Sequence, residues 1–298
     1  MTELRKSINS DINYLAGSDL NRRFGTEGEA IAGLYIRNRL QELGELCVVE
    51  SFSCSRETFQ IFSLYYIEFF FVVMFLLFLP TVGAIYGGVV LFLYISEVLG
   101  YWNISRFLNE FQSQNIFALI PNKNHVEKPK ILVIHTNYDA GINHPLYSPA
   151  IASIFPRLQD LTFFCMLGLV VVGIWAGISG INPAEDKILR TIILICGGYL
   201  CLYGLIAFLC SMEGVETRGA NFNASGVAGA LALVKHFSQN PLENTNVFFI
   251  FTGAHASWMA GLREAIKRNR LPKDRTLFIN LEGIGCGELH VVTEEHFI

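Results

Sequence analysis

The amino-acid sequence predicts an α/β domain that is interrupted by two transmembrane helical hairpins, and three observations predict this fold class. Short apolar runs typical of strands alternate with helical patterns. Four long apolar runs are confined to two parts of the 298-residue chain. A glycine-rich turn, residues 218–229, leads directly into an apolar helical pattern.

Composition limits the classes of function. Hydrophobic residues make up 52% of the chain and charged residues 16%, and the apolar excess lies in the four long runs, so the remainder has the composition of a soluble domain. The net charge of −4 and the lack of a long lysine or arginine run argue against a nucleic-acid partner, because phosphate binding needs clustered positive charge. The seven cysteines form no CxxC pair, which favours reduced thiols over a disulfide framework.

The soluble stretches contain the elements of an α/β domain. Apolar residues recur at helical spacing over 1–17 and 27–43, and the alternation over 46–54 predicts a strand. Five further apolar runs have the length and punctuation of strands: 115–121, 130–135, the start of 246–261, 276–281 and 288–293. Strands and helices that alternate in this way indicate one packed α/β sheet domain.

Each hairpin contains two apolar runs. The first run, 60–80, has about the twenty residues that a helix needs to span a bilayer, with phenylalanine and leucine on every face. The other three runs are 84–99, 161–181 and 189–210. Because each hairpin returns the chain to the side that it left, the soluble parts can assemble together. The predicted organisation is one discontinuous α/β domain of residues 1–59, 101–159 and 212–298, with hairpins at 60–100 and 160–211.

These hairpins predict a multi-pass integral membrane protein in contact with the lipid bilayer. Four arginines flank the crossings on the side of the soluble domain: Arg56, Arg106, Arg157 and Arg218. Lys187 and Arg190 lie near the short loop on the far side. By the positive-inside rule, the soluble domain is expected on the cytoplasmic side.

Two carboxylates, Glu68 and Glu97, interrupt the first hairpin. A charged group inside a bilayer is costly, so each raises the question of an intramembrane partner or a proton site. In the ordinary interpretation Glu97 is interfacial and Glu68 faces protein, protonated or hydrogen-bonded. A transport or proton-handling subunit built around the two glutamates is the alternative, although four crossings with few polar residues offer little for transport.

Polar groups follow the predicted strands at their carboxyl ends, where α/β sheets build their sites. Asn137 and Asp139 follow one strand, residues 253–256 follow another, and Glu282 follows a third. The glycine-rich turn is expected to join them, with Asn223 or Ser225 capping the next helix so that its free N–H groups favour an anion or a carboxylate-held metal. Phe222 lies in this turn, and a phenyl ring can neither ligate nor titrate.

Six ordered motifs between about residues 22 and 293 resemble the zinc aminopeptidases of metallopeptidase family 28. They are the segment RFGTEGE at 23–29, the strand 115–121, NYD at 137–139, GANFNASGVAG at 219–229, FTGAHA at 251–256 and NLEGIG at 280–285. The resemblance implies a mixed sheet flanked by helices, in the manner of zinc exopeptidases, with two co-catalytic zinc ions.

The same resemblance implies that the metal ligands are degenerate. The first zinc histidine of the family falls on Asn137, while its companion Asp139 is kept, and the bridging aspartate falls on Phe222. The paired glutamates, general base and zinc ligand, fall on His255 and Ala256. The next carboxylate ligand falls on Glu282, and the last histidine ligand lies in a C-terminal part beyond Ile298.

Because two neighbouring zinc ions need a bridging group and a carboxylate base, the sequence predicts a pseudoenzyme without a cofactor, with His255 as a vestigial catalytic position. The alternative is an active membrane aminopeptidase with a rebuilt zinc site of His135, Asp139, His255 and Glu282, all chemically suitable donors. In the ordinary interpretation, His135 and His255 are simply hydrogen-bonded. Inactive relatives of the family act in membrane complexes, so by analogy the partners expected here are other membrane-protein subunits or a second copy of this chain.

Overall fold

The structure is a computed structural model that describes residues 2–17, 19–55, 58–100, 105, 107, 111–143, 148–213 and 215–292. Arg56, Arg106 and Thr293, which figure in the sequence predictions, lie outside the described residues. The chain divides into two compact units. The first comprises Met1–Ser55, Asn109–Ile142 and Glu216–Thr293, and the second comprises Arg56–Leu108, Asn143–Val215 and Glu294–Ile298.

Nine α-helices and seven strands occur in the described residues. The helices are α1 (Thr2–Leu15), α2 (Glu27–Glu42), α3 (Thr58–Phe78), α4 (Pro80–Leu99), α5 (Pro149–Ala152), α6 (Phe155–Ser179), α7 (Lys187–Glu213), α8 (Ser225–Gln239) and α9 (Ala260–Asn269). The strands are β1 (Cys47–Cys54), β2 (Phe111–Ile120), β3 (Lys130–Asn137), β4 (Ile142–Asn143), β5 (Val215–Glu216), β6 (Thr245–Thr252) and β7 (Thr276–Asn280).

The first unit contains a five-stranded sheet in the order β1-β2-β6-β3-β7. The pairs β1/β2 and β2/β6 are antiparallel, whereas β3 runs parallel to both β6 and β7. Alternate residues of β6 face opposite sides: Phe249 and Phe251 pack in a core with α1, α2 and α8, and Ile250 packs with Val133 and the α9 residue Ala265. The predicted mixed sheet flanked by helices is therefore confirmed.

The close approach of α8 to the strand ends depends on Gly226. A Cβ atom at this position would lie 2.4 Å from the carbonyl oxygen of Leu281 and 2.6 Å from Oγ1 of Thr136, so only hydrogen fits. The first turn of α8 consequently lies directly against the carboxyl end of β3 and the residue that follows β7. This contact fixes the distance between the glycine-rich turn and the polar groups at the ends of the parallel strands.

The predicted side-chain cap of α8 is wrong. A single π-helical turn, Ala220–Ala224, runs straight into α8, and no side chain caps the helix. The backbone N–H groups of Ala224 and Ser225 donate to the carbonyl oxygens of Gly219 and Ala220. These N–H groups are therefore already bonded and do not form the predicted anion site.

The second unit is a helical bundle. Four of its helices are long and apolar enough to cross a membrane, by length and composition: Thr58–Phe78, Pro80–Leu99, Phe155–Ser179 and Lys187–Met212. Helix α3 packs along α7, and α4 packs along α6. At Gly173 on α6, a Cβ atom would lie 2.4 Å from Leu76 and 3.0 Å from the Cβ of Ala84, so a small residue permits this close packing.

One predicted domain boundary and one predicted strand differ from the structure. Residues 149–159, expected in the soluble domain, belong to the helical unit because α6 begins at Phe155 and α5 precedes it. The side chain of Gln159 accepts a hydrogen bond from Tyr66 and donates one to Tyr203, so this polar residue of α6 has partners within the helical unit.

The strand predicted at 288–293 is absent over the described residues 288–292, which pair with no strand.

Candidate functional site

Hydrogen bonds bring the strand ends of the first unit together. The backbone N–H of Ala256, just after β6, donates to Oδ2 of Asp139, just after β3, at 3.3 Å. Beyond β7, the N–H of Gly283 donates to the carbonyl oxygen of Phe222 at 2.9 Å, and the N–H of Gly285 donates to the side chain of Asn221 at 2.9 Å. The three strand ends and the glycine-rich turn thus meet at one edge of the sheet.

Phe222 and His255 face each other at this edge. Their ring centroids lie 5.9 Å apart with an interplanar angle of 70°, an edge-to-face arrangement. Phe222 is 44% exposed and His255 is partly buried, so the pair lies at the surface of the site. An aromatic ring fills the space beside the imidazole, and it offers no donor or acceptor to a ligand.

Asn137 and Asp139 lie beneath this surface, each 1% exposed. Neither amide atom of Asn137 makes a hydrogen bond to any residue that the structure describes, and Oδ1 of Asp139 makes none either. Burial raises the pKa of Asp139, although the nearby imidazole of His255 and several backbone N–H groups act in the opposite direction. The site therefore has a polar floor with unused hydrogen-bonding capacity, which is rare for buried groups.

A buried arginine, Arg22, joins the strand ends to the glycine-rich turn. Its side chain donates to the carbonyl oxygens of Tyr138 and Arg218, both at 2.6 Å, and to Oδ1 of Asn223 at 3.2 Å. Burial lowers the pKa of Arg22 to about 10, and the carboxylate of Asp139 partly offsets that effect. The guanidinium remains charged at neutral pH and compensates the neighbouring carboxylate.

Glu29, in the first turn of α2, also interacts electrostatically with Asp139. Its carboxylate accepts hydrogen bonds from Ser113 at 2.7 Å, from the N–H of Gly25 at 2.7 Å and from the N–H of Ala254 at 3.0 Å. Burial, and then repulsion from Asp139, raise its pKa to about 7 against these bonds. Glu29 therefore titrates near neutral pH.

The side chain of Asn280 lies between His135 and Glu282 and hydrogen-bonds to both. The two ring nitrogens of His135 are engaged by Asn280 at 2.8 Å and Thr252 at 2.9 Å, and burial lowers its pKa to about 4. Glu282 accepts a hydrogen bond from Asn280 at 3.1 Å. Within the described part of the chain, no three His, Cys, Asp or Glu side chains form a group that could hold a metal ion.

One stretch of the chain matches the sequence model of a known protein family. Residues 206–296 match the model of peptidase family M28, a segment that includes the glycine-rich turn, β6 and β7. This segment is similar to peptidase family M28, and the family resemblance predicted from the motifs is thereby confirmed. No curated protein sequence matches the chain.

Solved structures similar to this chain include three bacterial proteins. A Zn-dependent exopeptidase from Parabacteroides distasonis is 11% identical with a TM-score of 0.47, and the alignment covers 94% of this chain and 61% of that one. A glutaminyl cyclase and a leucine aminopeptidase precursor, both from Bacteroides thetaiotaomicron, are each 10% identical with TM-scores of 0.45. Each of these two alignments covers 95% of this chain and 61% of the other. This chain thus spans about 61% of the length of these structures.

The residues present do not fit the two zinc ions that the family implies. Of the buried atoms with no protein partner at this edge, Asn137 supplies a carboxamide oxygen and Asp139 one carboxylate oxygen. Phe222 and Ala256 supply no donor atom, although zinc takes histidine, cysteine and carboxylate ligands and two ions need a bridge. Catalysis through a metal pair is therefore not assigned to this site.

Neither Arg22 nor Glu29 was predicted as a site residue, although Glu29 ends the motif RFGTEGE at 23–29. Glu29 follows Thr26 by three residues, and its N–H donates to the Thr26 side chain, so the local pattern signals a helix start rather than a buried carboxylate. Arg22 stands in a polar turn with no local signal of burial. Both acquire their role from partners far along the chain, at Tyr138 and Ala254.

Proposed function

We propose that this chain is a membrane-embedded M28 pseudopeptidase that serves as a binding or scaffold subunit of a membrane complex. The edge-to-face contact between Phe222 and His255 carries the proposal. It places a hydrocarbon ring where, by the family resemblance, a bridging carboxylate would stand. A peptidase of this family without a bridge and without a glutamate base has neither a bound water to activate nor a group to take its proton.

The polar floor supports a binding role for the same edge. Asn137 and Asp139 retain unused donors and acceptors, and Arg22 and Glu29 hold the surrounding backbone in place. A site that has lost catalytic groups but keeps buried polar atoms can still bind a small polar group by hydrogen bonds. Binding without turnover is therefore the activity that these residues support.

Four helices with the length and composition of membrane spans support the location. Their outward side chains are largely apolar, with Phe70, Phe92 and Ile195 between 50% and 66% exposed, as a bilayer requires. We call the first unit, Met1–Ser55, Asn109–Ile142 and Glu216–Thr293, the peptidase-like unit. The arginine distribution favours the cytoplasmic side for this unit. We propose that the chain is a multi-pass protein with this orientation.

The edge strand β7 supports a protein partner. Leu277, Phe278 and Ile279 are 62%, 39% and 40% exposed, so apolar side chains emerge on both faces of a strand that, among the described strands, pairs only with β3. Exposed apolar edge strands are covered in stable proteins, since they otherwise pair with other chains. We propose that further polypeptide covers this edge, supplied by another subunit or by a second copy of this chain.

Metal analysis combined with hydrolysis of aminoacyl substrates tests the loss of catalysis. The purified full chain is expected to hold less than one zinc per chain and to release no amino acid above a blank. A matched control restores the donors at the family positions through Asn137→His, Phe222→Asp and Ala256→Glu. The triple variant is expected to take up zinc, because it regains a histidine, a bridging carboxylate and a third ligand.

Two bound zinc ions together with hydrolysis by the wild-type chain would overturn the proposal and restore the active aminopeptidase. One zinc that is lost in His135→Ala would instead support the rebuilt single-metal site. Extraction of the protein from membranes by alkaline carbonate would separately contradict membrane insertion.

A further inference from the structure

A pocket of about 310 Å³ lies in the helical unit between α3 and α4. Its wall is mostly apolar, formed by residues such as Ile61, Val90 and Leu93, with four polar groups: Tyr65, Glu68, Tyr86 and Ser105. This volume is at the lower end of the roughly 300–1,000 Å³ that small-molecule sites occupy. An apolar pocket with a few convergent polar groups is the usual form of such a site.

The two glutamates of this hairpin differ in how they are satisfied. Glu97 is 3% exposed and accepts hydrogen bonds from the hydroxyls of Tyr65 and Ser105 and from the N–H of Ser105. Glu68 lines the pocket and accepts a hydrogen bond from Tyr86 through one oxygen. Its second oxygen makes no hydrogen bond to any described residue, so Glu68 retains capacity for a ligand.

Charge indicates the chemistry of that ligand. No lysine, arginine or histidine is among the described residues that line the pocket, and none forms an ion pair with Glu68 in the described part of the chain. A carboxylate at membrane depth needs a partner, because its desolvation is costly. A protonated amine supplies both the opposite charge and the hydrogen bond that the free oxygen lacks.

The rim of the pocket indicates the route of entry. Leu64 and Val89, which line it, are 42% and 51% exposed on the outer surface of the helix pair. If the helices span the bilayer, that surface contacts lipid chains rather than water. The ligand would then approach laterally from the membrane, which requires an apolar body attached to its amino group.

We propose that the pocket between α3 and α4 binds a membrane-soluble amine, with its ammonium group against Glu68 and its apolar body between the two helices. This inference rests on the proposed membrane insertion and is independent of the proposed loss of catalysis. The site would therefore serve a lipid-like amine and not a peptide.

Binding of tritiated decylamine to the full chain in nanodiscs of zwitterionic lipid tests the proposal. One saturable site per chain is expected, competed by unlabelled decylamine and at least about tenfold more weakly by decanol or decanoate, because only the amine supplies a charge-assisted bond. Glu68→Gln is expected to weaken binding by about tenfold or more. Glu185→Gln, the same change in the exposed loop between α6 and α7, is the matched control and should leave binding unchanged.

Two measurements keep the test decisive if Glu68→Gln fails to assemble. Leu93→Trp fills the pocket while retaining the carboxylate and is expected to abolish saturable binding. A decylamine analogue with a photoreactive diazirine should label wild-type peptides within 61–68 and 86–93. Equal binding of decanol and decylamine, preference for decanoate, or labelling confined to other helices would overturn the proposal. Protein that does not reconstitute into nanodiscs would contradict membrane insertion itself and leave the metal and hydrolysis results unaffected.

Discussion

Buried carboxylates are stabilised in different ways in the two units. In the peptidase-like unit, Asp139 interacts electrostatically with Glu29 and with the buried cation Arg22. In the helical unit, Glu97 is held by uncharged donors, the hydroxyls of Tyr65 and Ser105 and a backbone N–H. The carboxyl ends of parallel strands gather charged groups from distant parts of the chain, whereas a helix pair satisfies its carboxylate from nearby neighbours.

This difference indicates that charged groups control the stability of the peptidase-like unit more than that of the helical unit. Repulsion and compensation among charged groups shift protonation equilibria, so the peptidase-like unit should respond to pH and to loss of its cation. Neutral donors contribute through hydrogen bonds, whose net contribution is smaller. Substituting one residue in each unit and comparing the losses of stability tests this difference.

Removal of the buried cation should have the largest effect. Arg22→Met leaves the acceptors at Tyr138, Arg218 and Asn223 without their donor and leaves Asp139 uncompensated, so we expect a loss of about 3–5 kcal/mol. Thermal unfolding in mild detergent measures it. Arg22→Lys keeps the charge and should lose less. If both variants unfold with the wild type, the cation contributes nothing net and the comparison fails.

The contribution of Glu29 to the pH dependence of stability should be the next largest effect. Folded Glu29 stays protonated up to about pH 7, whereas its unfolded pKa is 4.5, so this group binds more protons in the folded chain between these values. Its contribution should therefore fall as the pH rises from 4.5 to 7, by roughly 3 kcal/mol. His135, with its pKa lowered from 6.5 to about 4, acts in the opposite direction, so unfolding temperatures across this range are compared between the wild type and a Glu29 variant.

Glu29→Gln should make stability rise more steeply with pH than in the wild type, because it removes the group whose contribution falls and leaves that of His135. Glu27→Gln, an exposed change in the same helical turn, is the matched control and should leave the pH dependence as it is in the wild type. The same pH dependence in Glu29→Gln and in the wild type would place Glu29 outside the charged set.

The glutamate in the helical unit should give the smallest effect. Glu97→Gln keeps an acceptor for Tyr65 and Ser105, and we expect a loss under about 1 kcal/mol. Glu97→Leu leaves those donors unpaired in a buried position and should cost about 1–3 kcal/mol. Unfolding in detergent distinguishes them. A larger loss in Glu97→Gln than in Arg22→Met would reverse the comparison.

The sequence predicted most helices and strands correctly, but it did not predict which of their backbone groups would be hydrogen-bonded. Local periodicity predicted strands at 46–54 and 130–135 and four long apolar helices, and the structure confirms them, with the strands at Cys47–Cys54 and Lys130–Asn137. The predicted strand at 288–293 was wrong over its described residues, because alternation does not supply a neighbouring strand to pair with. The predicted cap of α8 was wrong because a π-helical turn already bonds the first N–H groups.

By itself, the sequence determined which atoms the site can offer. The side chains of Phe222 and Ala256 cannot coordinate a metal wherever they lie, because a phenyl ring and a methyl group carry no ligand atom. Only the tertiary structure decided that both ring nitrogens of His135 are bonded to Thr252 and Asn280, and that Glu29 reaches Ala254 across 225 residues of chain. Such contacts depend on strand order and register, which bring residues together irrespective of their separation in sequence.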